Sequence, residues 1–331
     1  MFKNASMKSS TPIAVASRSF SHHPQLRAEL LEKYSSVRFN DDGVALEGTA
    51  LIEFARGREK LIIGLECVNE AFLAALPELR VISKYGVGTD MLDREAMVRR
   101  GVHLGWTGGV NRRSVAELAI ALMLSLLRKI PQAYADMREG IWKNRKGKEL
   151  SGRTVGIVGC GHVGKELAIL LRAFGCRVFA HDILDFPEFY AAHQVEPLAL
   201  EPLLQRSEIV SLHVPLDDST RNILNAERLA LLPSEGLVIN TARGGLVDEA
   251  ALKQMLKEGR LAGAAFDVFT DEPPQDEELL QLPNFLGTPH IGGSSQEAIL
   301  SMGRAAISGL GENALPSVER VDGDKTCNMT T

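Results

Sequence analysis

The chain has few cysteines, no surplus of positive charge and no long apolar run, and each absence removes a class of function. Four cysteines (Cys67, Cys160, Cys176 and Cys327) are spread over 331 residues with no Cys-x-x-Cys pair. That excludes an obvious zinc ribbon or paired redox centre. Structural thiols are expected, and so sparse a set favours a reducing compartment. Lysine and arginine number 37 against 42 acids, a net charge of −5. Such a balance gives no general attraction for nucleic acid or anionic membrane. The longest apolar stretch, 118–127, is shorter than the roughly 20 residues of a membrane span and is bounded by Glu117 and Arg128. The polar start of the chain and the short apolar run 12–16 do not make a signal-peptide core, so a cytoplasmic protein is expected. Asn328-Met-Thr matches a glycosylation sequon and is read as chance. No repeat at solenoid spacing occurs.

What is present is a repeating α/β pattern. The length suits two domains, since one domain usually holds about 100–200 residues. Apolar residues make up 45% of the chain, enough to fill two cores. Short apolar segments at 12–16, 61–64, 79–83 and 102–104 read as strands, separated by helical stretches at 25–34, 69–76 and 92–100. Buried strands alternating with helices indicate a parallel sheet covered on both faces. Residues 111–129 differ. Ser114 with Glu117 three residues later fits a capping box, and the body that follows is apolar nearly all round. Such a helix is expected to be buried between domains or against a second subunit. A polar stretch with Trp142 and several lysines leads to Leu150. A second unit opens at Gly152, with strands expected at 154–158, 177–180, 209–213, 236–240, 263–266 and 285–287. About six strands with helices between them fit a doubly wound sheet.

The strongest local motif is Gly159-Cys160-Gly161-His162-Val163-Gly164, between the strand at 154–158 and a helix expected over 163–174. Gly159 permits the tight turn, Gly161 lets a pyrophosphate approach the backbone, and Gly164 lets helix and sheet pack closely. The helix start supplies unpaired N–H groups and a positive end. The next strand runs into Asp182, placed to accept hydrogen bonds from an adenosine ribose diol and to repel a 2′-phosphate. NAD is therefore expected over NADP.

Three polar residues stand just past predicted strands: Arg243, Glu272 and His290. Ligands of open α/β sheets collect at that edge. Hydride transfer to a 2-oxo acid needs a cation to grip the carboxylate and polarise the carbonyl, and an acid to protonate the developing alkoxide. The planar fork of Arg243 suits the first task, and the near-neutral titration of an imidazole suits His290 to the second. Glu272 would hold that imidazole in one tautomer. Singly, these residues could be a loop cation, a solvated acid and a structural cap. Behind a nucleotide loop they make a catalytic set that requires no metal.

These motifs closely resemble the D-isomer-specific 2-hydroxyacid dehydrogenases from about Leu79 to Gly311. The shared segments include Tyr85-Gly-Val-Gly-Thr-Asp90, Asn111 with Ser114-Val-Ala-Glu117, the glycine loop, Leu212-His213-Val-Pro215-Leu216, Asn240-Thr-Ala-Arg243-Gly-Gly, Asp267-Val-Phe, Glu272-Pro and Pro289-His290-Ile-Gly-Gly. The resemblance implies Arg243, Glu272 and His290 as the catalytic trio. It implies that backbone at Val87 and Gly88, in the loop beginning Lys84-Tyr85-Gly86, receives the substrate carboxylate. It places Asp267 near the nicotinamide carboxamide, Pro215 and Thr241 along the cofactor cleft, and His213, Ala242 and Gly292 among the cofactor-binding residues. The implied fold is a Rossmann cofactor domain, 107–288, inserted in a discontinuous flavodoxin-like substrate domain, 1–106 and 289–331. Hinges would lie near Trp106 and Thr288. A homodimer is implied, with 114–129 matching a helix beside the cleft and dimer contact. The expected reaction moves a hydride between NAD and C2 of a small, R-configured 2-hydroxy acid or its 2-oxo partner.

Some alternatives stay open. Phosphoglycerate dehydrogenase and hydroxypyruvate or glyoxylate reductase are both possible within the family. An NAD-sensing corepressor is the rival from another class, and a phosphonate or phosphite oxidoreductase is more remote. Met91 stands where the family often has Asn, and Trp106-Thr-Gly-Gly-Val departs from the usual segment before Asn111. Lys84, Arg112 and Arg113 could read a phosphorylated or dicarboxylic acid, or be ordinary solvated charges. No extension for a regulatory domain is expected.

Overall fold

A computed structural model describes residues 8–317. Cys327 and the Asn328 sequon lie outside the described residues. The chain divides into two compact units, Met1–Asn111 with Gln296–Thr331, and Arg112–Ser295. The division falls a little past Trp106 and Thr288 because helices Arg112–Leu127 and Gln296–Gly309 each stay whole within one unit.

In the first unit, β1 (Ile13–Val15), β2 (Val37–Phe39), β3 (Lys60–Ile63), β4 (Val81–Lys84) and β5 (His103–Gly105) form a parallel sheet in the order β2-β1-β3-β4-β5. That is the flavodoxin-like order. Strand alternation divides the core: Ala14 faces a layer with Leu61, Ile63, Leu73 and Met97, while Ile13 and Val15 face Leu26, Leu30, Ile307 and Leu310. Helix starts follow their caps. Asn69 Oδ1 accepts from Phe72 N at 2.9 Å, and Asp93 Oδ1 from Ala96 N at 2.8 Å. Helix Gln296–Gly309 is tied to the sheet by Ser83 Oγ, which donates to the Ala306 carbonyl at 2.6 Å. The edge strand β2 and helix Gly48–Ala55 were not expected from the sequence.

The second unit holds β6 (Thr154–Val158), β7 (Arg177–His181), β8 (Val195–Pro197), β9 (Ile209–Leu212), β10 (Leu237–Asn240), β11 (Gly263–Phe266) and β12 (Phe285–Gly287). All are parallel, in the order β12-β11-β10-β9-β6-β7-β8. Counted from β6, this is the Rossmann order with one further strand, and its direction reverses at β6 and β9. Six strands were expected. The addition is β8, an edge strand with half-exposed Glu196 and exposed Pro197.

Two further expectations are corrected here, and the burial expected of one helix is found within its own unit. Helix Arg112–Leu127 is covered by its own unit: Ala116, Ala119, Ile120, Met123 and Leu127 share a core with Leu167, Leu171, Ile239 and Ala265. Its all-round apolar pattern therefore needs no second subunit. Ser114 also lies inside the helix, which begins at Arg112, and its Oγ donates to the Gly292 carbonyl at 2.7 Å. It is thus no N-cap, and no capping box forms. The segment after Lys129 continues as helix Ile130–Arg138, which buries none of its residues. Cys160 and Cys176 are buried thiols, but Cys67 is disulfide-bonded where a thiol was expected. Among the described residues, no helix is long and apolar enough to cross a membrane.

Candidate active site

The glycine loop leaves β6 and enters helix His162–Ala173. Gly159 has φ +98°, and a Cβ there would lie 2.6 Å from the His213 carbonyl carbon. A Cβ at Gly164 would lie 2.0 Å from Gly159 O. Both glycines are therefore needed for packing. Gly161 is different, because no atom lies within 4 Å of where its Cβ would be. No side chain caps this helix start, so its first amides keep their hydrogen-bonding capacity. Open space above unpaired N–H groups is what a pyrophosphate requires.

Asp182 follows β7. Its Oδ2 accepts from Cys160 N at 2.6 Å and its Oδ1 from Leu184 N at 2.9 Å. The carboxylate is thus fixed beside the glycine loop, with lone pairs left for a diol. His213 follows β9, and its Nε2 lies 2.8 Å from Ser211 Oγ. Burial pushes this imidazole down to about 3, so it stays neutral. Burial likewise pushes the Cys160 thiol up to about 11. Pro215 is exposed, and Ala242 is half-buried. Thr241 Oγ1 is buried without a hydrogen-bond partner, at the end of β10. An unsatisfied buried hydroxyl is costly unless a ligand completes it. The open cradle at Gly161, the fixed Asp182 and this hydroxyl all fit a dinucleotide at the carboxyl edge of the sheet.

The predicted trio sits on three adjacent strands of the same edge: Arg243 after β10, Glu272 after β11 and His290 after β12. A Cβ at Gly244 would lie 1.9 Å from Phe269 O, so the Arg243 loop packs directly on the Glu272 loop. Asn240 shapes the first loop by donating from Nδ2 to the Arg243 carbonyl at 2.8 Å and accepting from Ala242 N at 3.1 Å. Arg243 is half-buried, and its Nη1 donates to the Ala242 carbonyl at 2.7 Å. Glu272 Oε1 accepts from Phe269 N at 3.2 Å, while its Oε2 lies 2.8 Å from His290 Nδ1. A carboxylate can only accept, so Nδ1 carries the proton in this pair. His290 Nε2 makes no hydrogen bond among the described residues, which leaves it available to a substrate oxygen.

Asp267 is buried in the second unit. Its carboxylate accepts from Thr288 Oγ1 and from the backbone N–H groups of Ile291 and Gly292. Sequence reasoning attached no role to Thr288 beyond a hinge. A polar residue two places before a candidate catalytic histidine was the available signal.

In the first unit, Lys84 is buried, and its Nζ donates to the carbonyls of Gly64 (2.5 Å) and Tyr85 (3.2 Å). Tyr85 packs edge-on against Phe20. Gly86 takes φ +126°, and Trp106 Nε1 donates to the Val87 carbonyl at 3.0 Å. The N–H groups of Val87 and Gly88 make no hydrogen bond among the described residues. Met91 borders the core and offers its carbonyl to Val68 N at 2.9 Å. In the second unit, Arg112 and Arg113 both reach Glu166, at 3.2 and 2.7 Å. No group of three or more His, Cys, Asp or Glu suited to a metal occurs among the described residues. An open pocket of about 830 Å³ in the first unit holds none of the predicted site residues, and its Arg27 and Arg38 lie over Phe39 and Phe54.

Residues 120–292 match the family described as D-isomer specific 2-hydroxyacid dehydrogenase, NAD binding domain. A D-3-phosphoglycerate dehydrogenase of Methanocaldococcus jannaschii is 42% identical over 67% of this chain and 43% of its own length. A glyoxylate reductase of Thermococcus litoralis is 35% identical over 83% of this chain and 86% of its own. The solved structure of a glyoxylate reductase from Paecilomyes thermophila superposes with a TM-score of 0.81 at 26% identity, covering 91% of this chain and 94% of that one. The matched parts make up less than half the length of the phosphoglycerate dehydrogenases.

Proposed function

The chain belongs to the D-isomer-specific 2-hydroxyacid dehydrogenases, and from that premise we propose that it interconverts a small D-2-hydroxy acid and its 2-oxo acid. Residues 159–164, Asp182 and Thr241 would hold NAD, which would supply or take up the hydride at C2. In the reducing direction, Arg243 grips the carboxylate with its planar fork and draws electron density from the carbonyl. His290 Nε2 donates the proton to the carbonyl oxygen as it becomes a hydroxyl. Glu272 holds the ring by Nδ1, which leaves Nε2 as the nitrogen that exchanges the proton. In the oxidising direction, the same Nε2 takes the hydroxyl proton. The unpaired N–H groups of Val87 and Gly88 are assigned to the carboxylate, with Lys84, Tyr85 and Gly86 shaping their loop.

The observation that carries this reading is the 2.8 Å contact between Glu272 Oε2 and His290 Nδ1, on strand ends beside the Arg243 loop. The substrate is assigned as small and unphosphorylated. Arg112 and Arg113 are turned onto Glu166, and Lys84 is spent on backbone carbonyls. An NADH-consumption panel of glyoxylate, hydroxypyruvate, phosphohydroxypyruvate, pyruvate and 2-oxoglutarate tests both points. Turnover should be fastest with glyoxylate or hydroxypyruvate. A clear preference for the phosphorylated acid refutes the substrate assignment, and tight NADH binding without turnover on any acid favours the sensor.

We also propose a homodimer. Ile130, Tyr134, Met137, Ile141 and Trp142 are exposed on and after helix Ile130–Arg138, an apolar surface suited to a second copy. A monomeric mass in sedimentation would refute this.

A further inference from the structure

His290 has φ +55°, the left-handed region that a side-chain-bearing residue rarely occupies. Such a conformation persists where its surroundings over-determine it, and it marks sites whose geometry matters. The loop flanking His290 is held on both sides by one carboxylate. Asp267, only 1% exposed, accepts at Oδ1 from Thr288 Oγ1 (2.6 Å) and Ile291 N (2.8 Å), and at Oδ2 from Gly292 N (2.7 Å). Ser114 Oγ completes the far side by donating to the Gly292 carbonyl at 2.7 Å. Asp267 itself is fixed to the end of β10, since its N–H donates to the Asn240 carbonyl at 2.9 Å.

We propose that Asp267 and Thr288 form a latch that positions His290, so that Thr288 is a positioning residue for the reaction. This rests on the reading of His290 as the proton donor. A buried carboxylate must have its lone pairs satisfied, and here the His290 loop satisfies them. The loop therefore cannot swing away without stranding a charge. Pinned at 288, 291 and 292, the backbone at 290 has one course left, and the ring it carries meets Glu272. Three of the roughly four acceptor positions of Asp267 are taken, leaving one at Oδ2 for the carboxamide contact that the family resemblance implies.

The test compares wild type with Thr288→Val and Thr288→Ser. Valine keeps the shape and removes the hydroxyl donor, while serine restores it. With the best acid of the panel, kcat of Thr288→Val should fall about tenfold to a hundredfold, the scale of a small misplacement of a reacting group. NADH affinity by fluorescence titration should fall far less than kcat, because the cradle at Gly161 and Asp182 is untouched and Asp267 keeps its two backbone donors. Thr288→Ser should recover most of the rate. Wild-type kcat in Thr288→Val, or a parallel loss of rate and NADH affinity, overturns the latch, as does failure of serine to rescue. Amide exchange in the unmodified protein gives a readout that does not depend on turnover or on the variants folding. The N–H groups of Ile291 and Gly292 should exchange at least about a hundredfold more slowly than unstructured amides, although they lie in a loop. Fast exchange at both overturns the latch. Absence of turnover in the wild type with both amides protected would refute the proposed function and leave the latch standing.

Discussion

Gly161 and Gly164 stand in one motif, yet alanine at each should fail for a different reason. A Cβ at Gly164 would lie 2.0 Å from Gly159 O and 3.0 Å from Gly159 C. Those are backbone atoms at the end of β6, and Gly159 is itself pressed against the His213 backbone, so no rotamer can relieve the clash. Helix His162–Ala173 must lift from the sheet, and overpacking of that kind costs about 1–3 kcal/mol. For a domain of this size, that lowers Tm by roughly 3–10 °C. At Gly161, φ is −77° and no atom lies within 4 Å of the new methyl. Stability should change by less than about 1 kcal/mol, because alanine also restricts the unfolded chain. The methyl instead occupies the space through which a pyrophosphate reaches the amides. NADH affinity should fall at least about tenfold, equivalent to about 1.4 kcal/mol. Calorimetry without ligand and fluorescence titration with NADH separate the two effects. The reasoning is refuted if Gly161→Ala melts as early as Gly164→Ala, or if it binds NADH like the wild type.

Three other predictions follow from single contacts. Asp182→Ser removes the charge beside the glycine loop and should raise the NADPH-to-NADH ratio of kcat/KM at least about tenfold; an unchanged ratio would remove the diol role. Ser114→Ala loses the donor to Gly292 O and should lower stability by about 1 kcal/mol in urea titration. Ser114→Asp should do worse, since a carboxylate cannot donate; an aspartate that stabilises would mean that position 114 caps the helix after all. His213 is held near 3, below its ordinary value, because its ring is enclosed. Its contribution to stability is therefore complete above about pH 6.5 and is lost as pH falls towards 3, at no more than about 1.4 kcal/mol per pH unit. The stability difference between pH 7.5 and 5 should shrink in His213→Gln, and an equal difference would place the titrating group elsewhere.

The strands that the sequence revealed are those buried on nearly every residue, such as β4, β9 and β10. Those it hid are edges. β2 carries exposed Arg38 and β8 ends in Glu196 and Pro197, so neither makes an apolar run. Helix Ile130–Arg138 was missed although Ile130, Tyr134 and Met137 recur at helical spacing, because it lies in a stretch rich in polar residues and buries none of its own. Arg243, Glu272 and His290 were legible because each lies just past a recognisable strand, and parallel strands deliver their ends to one edge. The Asp267 latch was not legible, because it depends on a carboxylate after β11 meeting a loop after β12. Ser114 misled for a local reason: Ser-x-x-Glu is a good cap pattern, but the helix starts two residues earlier and the hydroxyl finds Gly292.

The central claim is that hydride passes between nicotinamide and C2 of a 2-oxo acid gripped by Arg243. Reduction of the best panel acid with NADH carrying two deuteriums at C4 tests it most directly, with wild type and Arg243→Ala run side by side and the product analysed by mass spectrometry. The account predicts one deuterium at C2 of the hydroxy acid from the wild type, formed at least about a hundredfold more slowly by Arg243→Ala. Product without deuterium at C2, or near-wild-type formation by Arg243→Ala, would contradict it.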